Sequence, residues 1–111
     1  MQGRDQAQAD KLLADAKLLA NAGADLLLME CIPAALAAQI TAEISIPTIG
    51  IGAGKDTDAQ VLVINDILGL TEQPPKFSKN FLLEANDIPG AMQKYVADVK
   101  AGIFPGEENS F

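Results

Sequence analysis

Glu30 is the residue in this chain best placed to move a proton. It closes the apolar run Leu26-Leu27-Leu28-Met29 and is followed by Cys31-Ile32-Pro33. A run of that kind reads as a buried strand, so the carboxylate falls where the chain turns back towards solvent. In parallel α/β proteins the carboxyl ends of strands are where ligands bind and chemistry sits. Partial burial there disfavours a charged carboxylate and makes it a readier general base. An ordinary exposed loop glutamate fits the same local pattern.

A second chemical feature is Gly50-Ile51-Gly52-Ala53-Gly54. It is not a dinucleotide fingerprint, because position 55 is Lys55 where a GxGxxG pattern needs glycine. Nor does Lys55-Asp56 supply the lysine and hydroxyl of a P-loop. Two readings stay open. The loop passes close to a ligand, with Gly52 and Gly54 as candidate substrate-binding positions, or it packs a strand tightly against a helix. Asp56, Asp58 and Asp66 invite a metal site, yet helix capping and solvated faces account for them equally, and no metal ligand is assigned. Cys31 reads as a structural thiol beside an apolar strand. The absence of histidine excludes a Cys-His dyad and a histidine-containing zinc site.

The elements that must position these groups follow from periodicity. Ala9, Leu12, Leu13, Ala16, Leu19 and Ala20 predict one helix over about Gln6 to Asn21, ended by Gly23. Asp25 to Glu30 reads as a strand, then a helix entered at Pro33 and carried by Leu36, Ala37, Ile40 and Ile44. Ile46 to Ile51 is the next strand. Thr57 or Asp58 is expected to cap a third helix with Val61, Leu62, Ile64, Asp66 and Leu68, although its β-branched content also suits a strand. Lys76 to Phe81 is a short strand candidate. Asp87 caps a last helix bearing Ile88, Met92, Tyr95, Val96 and Val99, closed by Gly102. Alternating helices and strands indicate α/β architecture with parallel βα units. Nothing linker-like divides residues 1–111, so they form one unit, whose unpaired sheet edges suit part of a larger assembly.

Composition sets outer bounds. With 111 residues, 49% of them hydrophobic, the chain can fill one modest domain. It is too short for a whole (β/α)8 barrel of roughly 250 residues. A net charge of −7 argues against a nucleic-acid partner. No apolar stretch is long enough for a membrane span, and the polar Met1-Gln2-Gly3-Arg4-Asp5 start lacks a signal-peptide core. A single cysteine suits a reducing, cytoplasmic compartment.

The order of motifs is more specific than any one of them. Met29-Glu30-Cys31-Ile32-Pro33 precedes Ile46-Pro47-Thr48-Ile49-Gly50-Ile51-Gly52-Ala53-Gly54, then Asp58-Ala59-Gln60-Val61-Leu62-Val63 with Asp66 and Leu68-Gly69-Leu70. Pro75-Lys76-Phe77, Tyr95 and the tail Phe104-Pro105-Gly106-Glu107-Glu108-Asn109-Ser110-Phe111 follow. Over essentially its whole length the chain closely resembles the carboxyl-terminal part of the ketopantoate hydroxymethyltransferase (3-methyl-2-oxobutanoate hydroxymethyltransferase) family.

That resemblance implies the carboxyl-terminal portion of a (β/α)8 TIM barrel in an oligomeric enzyme, often a decamer. It implies transfer of a hydroxymethyl group from 5,10-methylenetetrahydrofolate to 3-methyl-2-oxobutanoate, giving 2-dehydropantoate for pantothenate synthesis, with Mg2+ holding the keto acid. Glu30 matches the family's catalytic glutamate, which takes the proton from C3. The family's metal-binding aspartates, a further glutamate near the metal and a substrate-binding lysine lie upstream of the matched region. The isolated chain is therefore expected to be inactive, and to assemble with itself or with a missing amino-terminal half. Ala59 stands where the family usually has glycine, while Asn65 and Asn109 stand where histidine is common. A non-catalytic remnant associating through its sheet edges is the alternative from another class, and a phosphate-binding barrel fragment using Gly50 to Gly54 is a third reading.

Overall fold

The computed structural model describes all 111 residues. Asp5 opens the first helix: its side-chain oxygen accepts from the Gln8 amide at 2.8 Å and satisfies one free N–H of α1 (Gln6–Asn21). The apolar stripe of α1 meets the next two elements, β1 (Leu27–Glu30) and α2 (Ala34–Glu43). Ala16, Met29, Ile32, Leu36, Ala37, Ile40 and Ala53 form one buried cluster there, flanked by Ala9, Leu12 and Leu13. Leu19, expected in the stripe, remains half exposed, and Leu18 beside it is exposed further.

β2 (Thr48–Ile51) lies parallel to β1, with Glu30 opposite Ile51 and Met29 opposite Gly50. A third strand, β3 (Ala59–Gln60), pairs in parallel with β2, Ile49 opposite Ala59, so the order is β1-β2-β3. β1 and β2 both begin later than the sequence suggested, at Leu27 and Thr48 in place of Asp25 and Ile46.

The expected helix after Asp58 does not form. The Asp58 carboxylate instead accepts from the Thr48 amide at 2.8 Å, and its own amide donates to the Thr48 hydroxyl at 3.1 Å. These bonds lay the chain beside β2, where the Val61 amide continues the pairing to the Gly50 carbonyl at 3.1 Å. Val61 and Val63 suit an extended backbone better than a helix, and only the single turn α3 (Ile64–Ile67) is helical. Lys76 to Phe81 likewise contains no strand. Ser78 donates both its amide and its hydroxyl to the Pro75 carbonyl, and Asn80 caps a 3-10 turn over Phe81–Glu84. Such local bonds displace ladder pairing.

α4 (Ile88–Lys100) starts as expected, with the Asp87 carboxylate accepting from the Gly90 amide at 2.8 Å. Its buried face is turned from the expected one: Ala91 is fully enclosed, Met92, Tyr95 and Val99 pack inward, and Ile88 and Val96 are exposed. This face builds a second cluster from Ile51, Leu62, Ile67, Phe81, Ala91 and Phe104. The rings of Phe81, Tyr95 and Phe104 meet edge-on, at centroid distances of 5.2–6.0 Å. The architecture is thus α/β with a three-stranded parallel sheet, in agreement with part of a barrel. No helix is long and apolar enough to cross a membrane.

Candidate active site

Strand alternation decides what β1 offers on each side. Met29 points into the first cluster, whereas Leu28 and Glu30 stand on the other, open face. Glu30 ends the strand and the chain reverses within one residue. The Cys31 amide still donates to the Ile51 carbonyl at 2.9 Å, but the residue itself has φ of 53°, the only positive value outside glycine. Backbone held in that region by a residue with a side chain is strained, and such strain clusters at functional sites. Ile32 is then buried and Pro33 leads directly into α2. The carboxylate of Glu30 is consequently fixed at its root by the β1–β2 ladder and free at its tip, which enters no hydrogen bond or ion pair.

That tip is exposed. The partial burial anticipated for Glu30 is absent from these 111 residues, because the face it shares with Leu28 has nothing packed over it. Beside this face, between α1 and the outer edge of β1, runs a mostly apolar groove of about 490 Å³ lined by Met1, Leu12, Leu28, Glu30 and Cys31 among others.

The glycine-rich loop lies next to the same turn. Gly52 and Gly54 have φ of 66° and 78°, and their neighbours leave no room for a side chain. A Cβ on Gly52 would stand 2.9 Å from Phe77 Cδ1 and 3.3 Å from Cys31 Sγ. One on Gly54 would come within 2.5 Å of Ala34 Cβ, at the start of α2. Packing within the chain therefore accounts for both glycines. Gln60 ties the loop down by donating to the Gly54 carbonyl at 2.8 Å.

The three aspartates are not brought together. Asp58 is engaged with Thr48, Asp66 is buried and accepts from the Thr71 hydroxyl, and no group of three or more His, Cys, Asp or Glu side chains converges anywhere. Sequence reasoning missed two parts of this site. Nothing in Glu30-Cys31-Ile32 announces a left-handed cysteine. The packing of Phe77 on Gly52 joins positions 25 residues apart and leaves no local signature.

A family model for ketopantoate hydroxymethyltransferase matches residues 1–107. The chain belongs to the ketopantoate hydroxymethyltransferase family. It is 70% identical over 111 residues to the 3-methyl-2-oxobutanoate hydroxymethyltransferase of Saccharophagus degradans, covering all of this chain and 41% of that protein. The probable 3-methyl-2-oxobutanoate hydroxymethyltransferase of Schizosaccharomyces pombe is 56% identical over 112 residues, and the Cronobacter sakazakii enzyme 55%, each matched over 42% of its length. This hydroxymethyltransferase-family chain thus spans about two fifths of the curated relatives it matches.

Proposed function

We propose that this chain is the carboxyl-terminal part of a 3-methyl-2-oxobutanoate hydroxymethyltransferase, and that Glu30 is its general base. The observation that carries the reading is the placement of an unpaired carboxylate at the carboxyl end of a parallel strand, in a chain of this family. The Glu30 carboxylate takes the C3 proton of 3-methyl-2-oxobutanoate, and the C3–H electron pair becomes the enolate. C3 then forms the new C–C bond to the methylene carbon of 5,10-methylenetetrahydrofolate, and the two C–N bonds of that carbon break. Water supplies the hydroxyl oxygen, and the C3 proton and one water proton end on N5 and N10, giving 2-dehydropantoate and tetrahydrofolate. Gly52 and Gly54 shape the loop along which the substrate approaches Glu30.

Mg2+, which the family implies, does not fit the residues present, since no set of three ligating side chains converges here. No step is assigned to it in this chain, and the ligands belong to the remainder of the barrel. Glu30 alone should therefore give little turnover. The open face of β1 supports the same view: Leu28 is 57% exposed on a strand that would face a barrel interior, and Leu26, just before the strand, is 56% exposed.

The test is a chimera in which these 111 residues replace the matching segment of the Saccharophagus degradans relative. Glu30→Gln in that chimera should lower kcat by about 10²- to 10⁴-fold, the usual range for losing a general base. Turnover within threefold of the unmutated chimera would remove Glu30 from the mechanism.

A further inference from the structure

The tail from Phe104 to Phe111 crosses the chain and is tied down at points that the proposed chemistry does not use. Phe104 is buried in the second cluster, and the segment that follows carries a 3-10 turn over Glu107–Asn109. Asn109 is 7% exposed, and its side chain is fully engaged. Its Oδ1 accepts from the Gly106 amide at 3.2 Å, which fixes the turn. Its Nδ2 donates to the Lys76 carbonyl at 3.2 Å and the Ser78 carbonyl at 3.1 Å. Those carbonyls flank Phe77, the residue whose ring lies over Gly52 beside Cys31.

Two further bonds extend the strap. Lys76 Nζ donates to the Ser110 carbonyl at 2.7 Å and sits 5.0 Å from the centre of the Phe111 ring. The Phe111 carbonyl accepts from the Ala34 amide at 3.1 Å, supplying the cap that Pro33 cannot give α2 through a side chain. The tail therefore meets both ends of the site: Phe77 above the glycine loop, and the first turn of α2 just after Glu30-Cys31-Ile32-Pro33.

We propose that Asn109 is a positioning residue for the Glu30 turn, acting by bracketing Phe77 so that its ring holds Gly52 and Cys31 in place. A buried primary amide suits the task because one group supplies two donors and one acceptor. The consequence for turnover rests on the reading of Glu30 as base. The geometric part does not.

Cys31 gives a direct readout, being the only thiol of the chain. Its reaction with an aromatic disulfide reagent is measured in the unmutated chain, in Asn109→Asp, which keeps the shape and loses both donors, and in Phe77→Ala. With the helical circular dichroism retained, Asn109→Asp should speed the reaction about fivefold to tenfold, as expected for the loss of one to two hydrogen bonds that keep the ring down. The double variant should be no faster than Phe77→Ala alone. If Asn109→Asp loses its helical signal, Asn109→His, which keeps one donor, is measured in its place and should show a smaller increase. Unchanged thiol reactivity in the folded variant, or full additivity with Phe77→Ala, overturns the proposal.

The second arm uses the chimera. Asn109→Asp should lower kcat per folded enzyme by about tenfold with KM for the keto acid changed less than threefold, and Asn109→His should recover part of it. A lower melting temperature with kcat unchanged would assign Asn109 a structural role only. If Glu30→Gln turns out harmless while Cys31 reactivity still responds to Asn109, the base assignment fails and the positioning contact stands.

Discussion

At the scale of single residues, the site rests on a pairing that neither member could achieve alone: a carboxylate free at its tip and a cysteine strained at its backbone. Cys31 turns the chain at φ 53° while its amide completes the ladder to Ile51, so the reversal happens without losing a hydrogen bond. A branched Cβ is poorly tolerated in that region of backbone space. Cys31→Val should accordingly destabilise the chain by about 1–3 kcal/mol, while Cys31→Gly, which relieves the strain but frees the unfolded chain, should stay within about 1 kcal/mol. Urea unfolding followed by circular dichroism measures both, and equal effects of valine and glycine would mean that the φ value carries no strain. The position of Glu30 was legible in the sequence because four apolar residues before a carboxylate mark a strand end. Its exposure was not, since that depends on what covers the open face of β1 and not on the residues next to it.

At the scale of elements, helices with a capping aspartate were legible and the region between Thr57 and Phe81 was not. Asp5 and Asp87 each bond the amide three residues on, a local event that a short stretch of sequence encodes. Asp58 looks identical in sequence but spends its carboxylate on Thr48, ten residues back, and so makes β3 where a helix was expected. The second cluster is held by a comparable long-range set. Phe81 is wholly buried against Tyr95 and Phe104, and Phe81→Ala should cost about 3–5 kcal/mol. Next to it, the largely buried Asp98 carboxylate meets Lys94 at 3.0 Å and Lys79 at 3.9 Å. Its hydrogen bond, and then its charge, hold the Lys94 ammonium above the usual lysine range, and burial pushes the Tyr95 phenol up. Both groups have a higher pKa folded than unfolded, so their protonated forms stabilise the fold below an unfolded pKa of about 10 and that contribution is lost as pH rises through the folded values. Stability should thus fall on the alkaline side. Tyr95 is the only tyrosine and there is no tryptophan, so the ultraviolet phenolate band reports it alone. Its midpoint should lie above that of free tyrosine and drop back in urea; an identical midpoint in both solvents would refute the burial argument.

At the scale of the whole molecule, only 22 of 111 residues are buried, and the thirteen that form the two hydrophobic clusters leave an apolar groove and the outer edge of β1 uncovered. Unpaired strand edges next to exposed leucines invite pairing with another chain. The isolated chain should associate at micromolar concentration in sedimentation experiments, and Leu28→Lys, placed on the open face, should shift it towards monomer; a compact monomer at all concentrations would contradict this. On the proposed reading, these residues supply the base and the metal ligands lie in the remainder of the barrel. Whether Glu30 takes the C3 proton decides its proposed role. Exchange of that proton for deuterium, followed by NMR with 3-methyl-2-oxobutanoate and no folate, isolates this step in the chimera. Exchange that disappears in Glu30→Gln is the predicted result, and exchange continuing at the unmutated rate in Glu30→Gln would contradict it.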